Sequence, residues 1–178
     1  KELKIQLKKK ENRAKLVFKN RVEYPDRIVE KMLLDKEGNV ALSIGPFAGD
    51  CFDMKSLKKC SLGLLVYEEH SLAKKREATI LDLEGEPLYL ENSSFKLNEF
   101  IQSRCWNRGF EPDIVFETNG FDLCYKMCRL KRGISVTIDF VHEDMNTEGL
   151  VMIPFAEDDM IWEIGLLTLK DRAMESSV

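Results

Sequence analysis

The chain has 178 residues, enough for one large domain or two small lobes, since compact domains mostly hold about 100 to 200 residues. Its apolar share of 44% can build a core, and its net charge of -4 argues against this piece gripping a phosphate backbone, which needs clustered cationic charge. No apolar run approaches the roughly 18 residues of a membrane span, the amino end carries charges rather than an export signal, and the short basic groups such as Lys8 to Lys10 have acids nearby.

Along the chain, Leu3 and Leu7 lie one helical turn apart among lysines, which predicts a surface helix over Glu2 to Lys10; the alternation Leu3, Ile5, Leu7 leaves a strand open. Lys15 to Lys19 is a short strand. Pro25 then stands where a helix begins, with Ile28, Val29, Met32 and Leu33 as its buried stripe and Gly38 as its left-handed stop. Val40 to Ile44 is nearly all apolar, the pattern of a strand buried on both faces of a parallel sheet. Gly45-Pro46 and Gly49 break the pattern, and a polar passage to Lys59 leads to a strand over Leu62 to Tyr67.

Strand and helix then alternate. Leu88 to Leu90 is a strand; Leu97, Phe100, Ile101 and Cys105 are the stripe of a helix ending at Gly109; Ile114 to Phe116 is a strand; Phe121, Cys124, Met127 and Cys128 mark a helix; Ile134 to Ile138 is a strand. A polar turn over Asp144 to Gly149 and strands over Val151 to Phe155 and Ile161 to Leu169 complete the chain. Such βαβα alternation predicts an α/β fold with an open parallel sheet and helices on its faces.

In such a sheet the helices that follow the strands begin at one edge with unpaired N–H groups and a positive dipole end. Ser93 and Ser94 precede one helix, so their hydroxyls can cap it or bond a ligand oxygen. Thr118, Asn119 and Gly120 hold the same place after the next strand. Catalysis finds little support: His70 and His142 are the only histidines, and no nucleophile-elbow pattern occurs. His142 with Glu143 and Asp144 points apart from them in a turn, so no metal is expected, and the five cysteines lack zinc or disulfide spacing. Cys124 and Cys128 stand i, i+4 on one helix face, where buried packing is the expected role and a redox pair the competing one.

The run from Leu64 to Pro87 (LLVYEEHSLAKKREATILDLEGEP), continued by Leu88 to Ser94 (LYLENSS), resembles the start of the second lobe in the effector-binding domain of LysR-type transcriptional regulators. His70-Ser71-Leu72-Ala73 matches that family's His-Pro-Leu-Ala word, and Asp82-Leu83-Glu84-Gly85-Glu86-Pro87 its Asp-Leu-x-Gly-x-Pro word. Gly38 to Ile44 (GNVALSI) aligns with Gly-x-hydrophobic-Asp-Leu-Ala-hydrophobic, with Ala41 in the Asp position. Glu117-Thr118-Asn119 looks like the family's strand ending in Glu and a small polar residue; Leu130 to Val136 (LKRGISV) resembles its Ala-Gly-x-Gly turn, with Lys131 replacing the first glycine and Gly133 retained.

The resemblance implies two Rossmann-like lobes of the type 2 periplasmic-binding-protein kind, joined by two crossover strands: residues 1–52 with 153–178, and residues 53–152. It implies an effector cleft lined by Arg21, Tyr24, Ile44 and Gly45 from the first lobe and Ser93, Ser94, Thr118, Asn119 and Gly120 from the second. Donors outnumber acceptors in that set, so a small carboxylate or other anion is the expected ligand, with no cofactor and no metal. The family's winged helix-turn-helix is absent from this sequence, so DNA would be met only through that missing domain. A cytoplasmic homodimer or tetramer is expected, paired through the helix at Glu2 to Lys10 and the one at Leu97 to Cys105. A stand-alone two-lobed solute-binding protein for a small carboxylate is the alternative.

Overall fold

The computed structural model describes residues 25–45 and 51–170. The expectations for Glu2 to Lys10 and Lys15 to Lys19, and the candidate site residues Arg21 and Tyr24, lie outside them. In chain order come α1 (Asp26–Leu34), β1 (Ala41–Ile44), β2 (Phe52–Tyr67), β3 (Leu88–Glu91), α2 (Lys96–Asn107), β4 (Ile114–Thr118), α3 (Phe121–Arg129), β5 (Ile134–Ile138), α4 (Asp139–Asp144), β6 (Leu150–Pro154) and β7 (Ile161–Leu169).

The strands form one seven-stranded sheet in the order β1-β7-β2-β5-β3-β4, with β6 pairing β2 off that path. Only β3–β4 and β3–β5 are parallel; β1–β7 and every pairing of β2 are antiparallel. The expected all-parallel sheet is therefore mixed. Parallel pairing is confined to the stretch where helices α2 and α3 provide the crossovers that parallel strands require. The first antiparallel strand is β1 itself, with Leu42 46% exposed, so its apolar run is not that of a strand buried on both faces.

β2 organises the sheet. Phe52 to Ser61 pairs with β7, whereas Leu62 to Tyr67 pairs with β5 and β6. The passage before Lys59, read as a polar break, is thus strand: it is exposed along most of its length, so its residues carry no apolar alternation. The boundary drawn at 52/53 falls at the start of this strand, while its partners change at Ser61/Leu62. β6 stays with the second half of β2 rather than returning to the first lobe, and β7 makes that return.

The second half of β2 is buried on both faces. Leu64 and Val66 join a core with Leu88, Leu90, Leu97, Ile101, Ile134 and Trp162, whereas Leu65 turns to Tyr125, Cys128 and Leu150. Alternation puts these two sets on opposite sides of the sheet, so α2 and α3 cover different faces. A separate small cluster of Leu33, Phe52 and Leu167 holds α1.

The helix ends reveal a shared device. In α1, α2 and α3 the chain closes with paired bonds back to the last turn: Lys36 N–H to Leu33 O (3.1 Å) and Glu37 N–H to Met32 O (2.9 Å); Gly109 N–H to Trp106 O (3.0 Å) and Phe110 N–H to Cys105 O (3.2 Å); Lys131 N–H to Cys128 O (2.9 Å) and Arg132 N–H to Met127 O (3.0 Å). This is the Schellman arrangement, which needs a left-handed residue after the cap. Gly109 supplies it at φ 89°, but Lys36 (φ 60°) and Lys131 (φ 56°) supply it in the other two. Lys36, not Gly38, is therefore the left-handed stop of α1. Asp139–Asp144, a stretch to which the sequence pattern assigns no element before the turn at Asp144, forms the short α4, and Asp139 at its first position accepts from Phe140 N–H through Oδ1 at 2.6 Å.

Candidate functional site

Three chain ends meet at one edge of the sheet. β3 and β4 are parallel neighbours with Glu91 opposite Thr118, so the loops after them lie side by side. Asn92 ties them: its N–H donates to Thr118 O at 2.7 Å, and its side-chain amide donates to Asn119 Oδ1 at 2.5 Å. Its Oδ1 accepts from Ser94 N–H at 2.8 Å, the Asx geometry that turns the chain into α2. Ser93 is exposed and Ser94 half-buried. Neither hydroxyl caps α2, contrary to one of their two expected roles: the position before the helix is Phe95, which makes no side-chain cap bond. Thr118 Oγ1 instead bonds locally, accepting from Gly120 N–H at 3.3 Å.

The third chain end is that of β1. Lys96, the first residue of α2, is 8% exposed and reaches across to the first lobe, where its ammonium donates to Ile44 O at 3.0 Å and to Glu30 Oε1. Ser43 Oγ donates to the same Glu30 oxygen at 3.4 Å, and Glu30 is itself 7% exposed. Gly45 N–H is used in the sheet, donating to Glu163 O at 2.8 Å. Asp26, in the first turn of α1, completes the group. Burial raises its carboxyl above the usual range, Glu30 adds to that, and the Lys96 charge with the backbone hydrogen bonds from Lys96 and Ile44 opposes it.

The fold thus brings Ile44, Gly45, Ser93, Ser94, Thr118, Asn119 and Gly120 to one edge. It adds residues the sequence reading missed: Asp26, Glu30, Asn92 and Lys96. One signal for Lys96 was available, because a lysine at the first position of a helix opposes the macrodipole and needs a compensating acid. Nothing in the sequence marked Glu30, which occupies an apolar-looking helix whose predicted stripe residue Ile28 is 43% exposed.

Away from this edge, His70 is structural. Its Nδ1 accepts from Leu72 N–H at 3.2 Å, which leaves the proton on Nε2, 3.4 Å from Glu86. The Asp82 word closes a turn as its pattern implied: Asp82 Oδ2 accepts from Thr79 N–H at 2.8 Å and Lys75 pairs with the same carboxylate, holding it below its usual range against the effect of burial. His142 Nδ1 lies 3.1 Å from Tyr125 OH, itself 2.9 Å from Thr137 Oγ1. Burial pushes the thiols of Cys124 and Cys128 up to about 12, so neither is a ready thiolate. No cluster of three His, Cys, Asp or Glu gathers among the described residues, and no helix there is long and apolar enough to cross a membrane. A groove of about 830 Å³ follows the outer strand β4 from Glu111 to Glu117, beside Gln102.

Comparison with known proteins places this geometry. The model of the LysR substrate binding domain matches residues 21–178. An uncharacterised HTH-type transcriptional regulator, YwbI of Bacillus subtilis (strain 168), is 28% identical over 139 residues, covering 76% of this chain and 46% of the relative. The chain thus spans less than half the length of that protein. Among solved structures, the BenM effector binding domain with its effector benzoate aligns with a TM-score of 0.71 at 18% identity, covering 85% of this chain and 69% of that domain's chain. The CcmR regulatory domain of Synechocystis PCC6803 in complex with 2-PG aligns at 0.74 and 13%, covering 83% and 72%.

Proposed function

Because the chain belongs to the LysR substrate binding domain family, we propose that it binds a small carboxylate or other small anion between its lobes and so controls a DNA-binding domain carried elsewhere in a longer regulator. The observation that carries this reading is the meeting of the β1, β3 and β4 ends at one edge, with the start of α2 and the Lys96 ammonium beside them. Helix starts favour anions, and a buried cation adds to that preference. Benzoate on BenM and 2-PG on CcmR are anions of this size, which supports the ligand class. Ser93, Ser94, Thr118, Asn119 and Gly120 would face the ligand from the second lobe, Ile44 and Gly45 with Arg21 and Tyr24 from the first.

The domain acts by binding rather than catalysis, in the cytoplasm, where five free cysteines stay reduced. Effector binding shifts a population between two arrangements of an oligomer. Pairing of two copies would use the outer side of α2, where Trp106 is 56% exposed.

A thermal-shift screen over benzoate, 2-phosphoglycolate, shikimate, amino acids and dicarboxylates tests the proposal. A ligand at 100 times its dissociation constant adds about 2.7 kcal/mol, a rise of roughly 5–10 °C for a domain of this size. Failure of every anion to move the midpoint, with neutral or cationic compounds succeeding, would reject the ligand class.

A further inference from the structure

We propose that α2 is a clasp between the lobes: one stripe of its surface holds the first lobe shut against the second before any ligand arrives, and the lobes part only when that stripe lets go. The chain itself joins the lobes through β2, which changes partners at Ser61/Leu62, and through the entry to β7, where Leu62 N–H donates to Met160 O at 2.9 Å. Two strand crossings side by side can bend as a hinge, so contacts beyond them must fix the angle.

Helix α2 meets the lobes through two adjoining sides. Leu97, Ile101 and Cys105, spaced four apart, are buried in the core of the second lobe. Lys96, Glu99, Phe100 and Arg104 recur at intervals of three and four and so share the neighbouring side of the helix. Each of them reaches the first lobe or the residues leading into it. Lys96 Nζ donates to Glu30 of α1 and, at 3.0 Å, to Ile44 O at the end of β1. Glu99 pairs with Arg27, three residues before Glu30. Phe100 meets Trp162 of β7 edge-on, with ring centres 5.4 Å apart. Arg104 pairs with Asp159 just ahead of β7 and lies 4.7 Å from the centre of the Phe100 ring.

The charges make this contact selective. Both helices carry a cation and then an anion three residues on, Arg27 and Glu30 in α1 and Lys96 and Glu99 in α2, so the crossed pairing satisfies all four while the reverse alignment would set like against like. The inner pair is buried, Lys96 at 8% and Glu30 at 7% exposure, whereas the outer pair is open to solvent. A buried pair gains little net stability over an apolar one, because closing the lobes strips water from both charges. Its loss on one side is different: a lone buried charge penalises the shut arrangement, and opening returns that charge to water. The clasp is therefore balanced close to release, and its inner pair is the point where one change of charge tips it.

Pulsed electron–electron spin resonance on the whole chain without ligand tests this, so its outcome stands apart from the anion-cleft reading. One nitroxide goes on the exposed Cys51 of the first lobe and one on Lys126→Cys, at an exposed position of α3 in the second. With the clasp intact one distance should dominate, with any longer one below about 10% of the population. Lys96→Met should raise the longer population at least fivefold, and adding Glu30→Met should return it to the starting level, since an apolar pair tolerates the shut arrangement. Glu99→Arg, which sets two exposed guanidiniums together and leaves the buried pair alone, should move the distribution the same way by a smaller step, with Arg27→Glu reversing it. This second set carries the test where Lys96→Met fails to fold. Two comparable populations in the intact chain, distances unchanged by Lys96→Met and Glu99→Arg, or double variants as open as the single ones would each overturn the clasp.

Discussion

Gly133 gives the sharpest test of how this sheet is held. It opens β5 where the chain leaves α3, and Ile134 N–H donates to Pro87 O at 2.9 Å, the bond that starts the parallel register Leu88↔Ile134. A Cβ built on Gly133 would stand 2.1 Å from that same Pro87 oxygen and 2.9 Å from Tyr89 Cε2. The tyrosine ring can turn aside; the carbonyl cannot move without shifting β3 by about 1 Å, given an ordinary carbon–oxygen contact of roughly 3.2 Å. Overpacking a well-filled core costs about 1–3 kcal/mol, and straining the Ile134 bond adds about 1 kcal/mol. Gly133→Ala is therefore expected to destabilise by about 3 kcal/mol, lowering the thermal midpoint by roughly 6–12 °C. Urea unfolding followed by tryptophan fluorescence measures it, with Gly120→Ala as control: Gly120 has an extended φ of 176° and open space where a Cβ would go. A Gly133→Ala protein within about 0.5 kcal/mol of wild type would refute the reasoning, because surface substitutions commonly fall in that range.

Lys131→Gly should stabilise the chain by about 0.5–1 kcal/mol, because the left-handed φ costs a lysine more than the flexibility glycine adds and more than the exposed pair with Glu69 contributes; a lower urea midpoint would contradict this. Thiol titration of the native protein at pH 7 should find Cys51 reacting promptly and Cys60, Cys105, Cys124 and Cys128 only upon unfolding, and peroxide should not link Cys124 to Cys128. Burial lowers the His142 value from 6.5, so the unfolded chain takes up its proton first as pH falls. Stability should accordingly decline on acidification below about pH 6.5 and the decline should shrink in His142→Gln, read from denaturation midpoints between pH 7.5 and 5.

Much of the fold was legible because its elements carry strong local signals. The alternation of β3, α2, β4, α3 and β5 followed from apolar periodicity, and Ile134–Ile138 and Ile161–Leu169 fall where the pattern put them. The short words did as well: His70 and Asp82 hold turns through bonds to amides two and three residues away, which is why a few consecutive residues suffice to reveal them. The misreadings arose where a residue's neighbours are remote in sequence. Phe52–Ser61 has no apolar alternation because its partner, β7, stabilises it through backbone pairing between residues 100 to 117 positions apart, with both faces largely open. Lys36 and Lys131 adopt a glycine's conformation because two carbonyls of the preceding turn require it, a demand invisible in their identity.

The candidate site divides the same way. Chain order and pattern were enough to place Ser93–Ser94 and Thr118–Gly120 after neighbouring strands at one edge, since parallel strands joined by helices end on the same side. The buried charges at this edge come together only once ion pairs join α1 to α2. Glu30, Asp26 and Lys96 are separated by up to 70 positions, and each alone looks like a solvated surface charge. Burial makes them a unit: an ammonium that loses water needs a carboxylate close by, and which one it takes depends on three-dimensional proximity, not on anything written next to it in the chain.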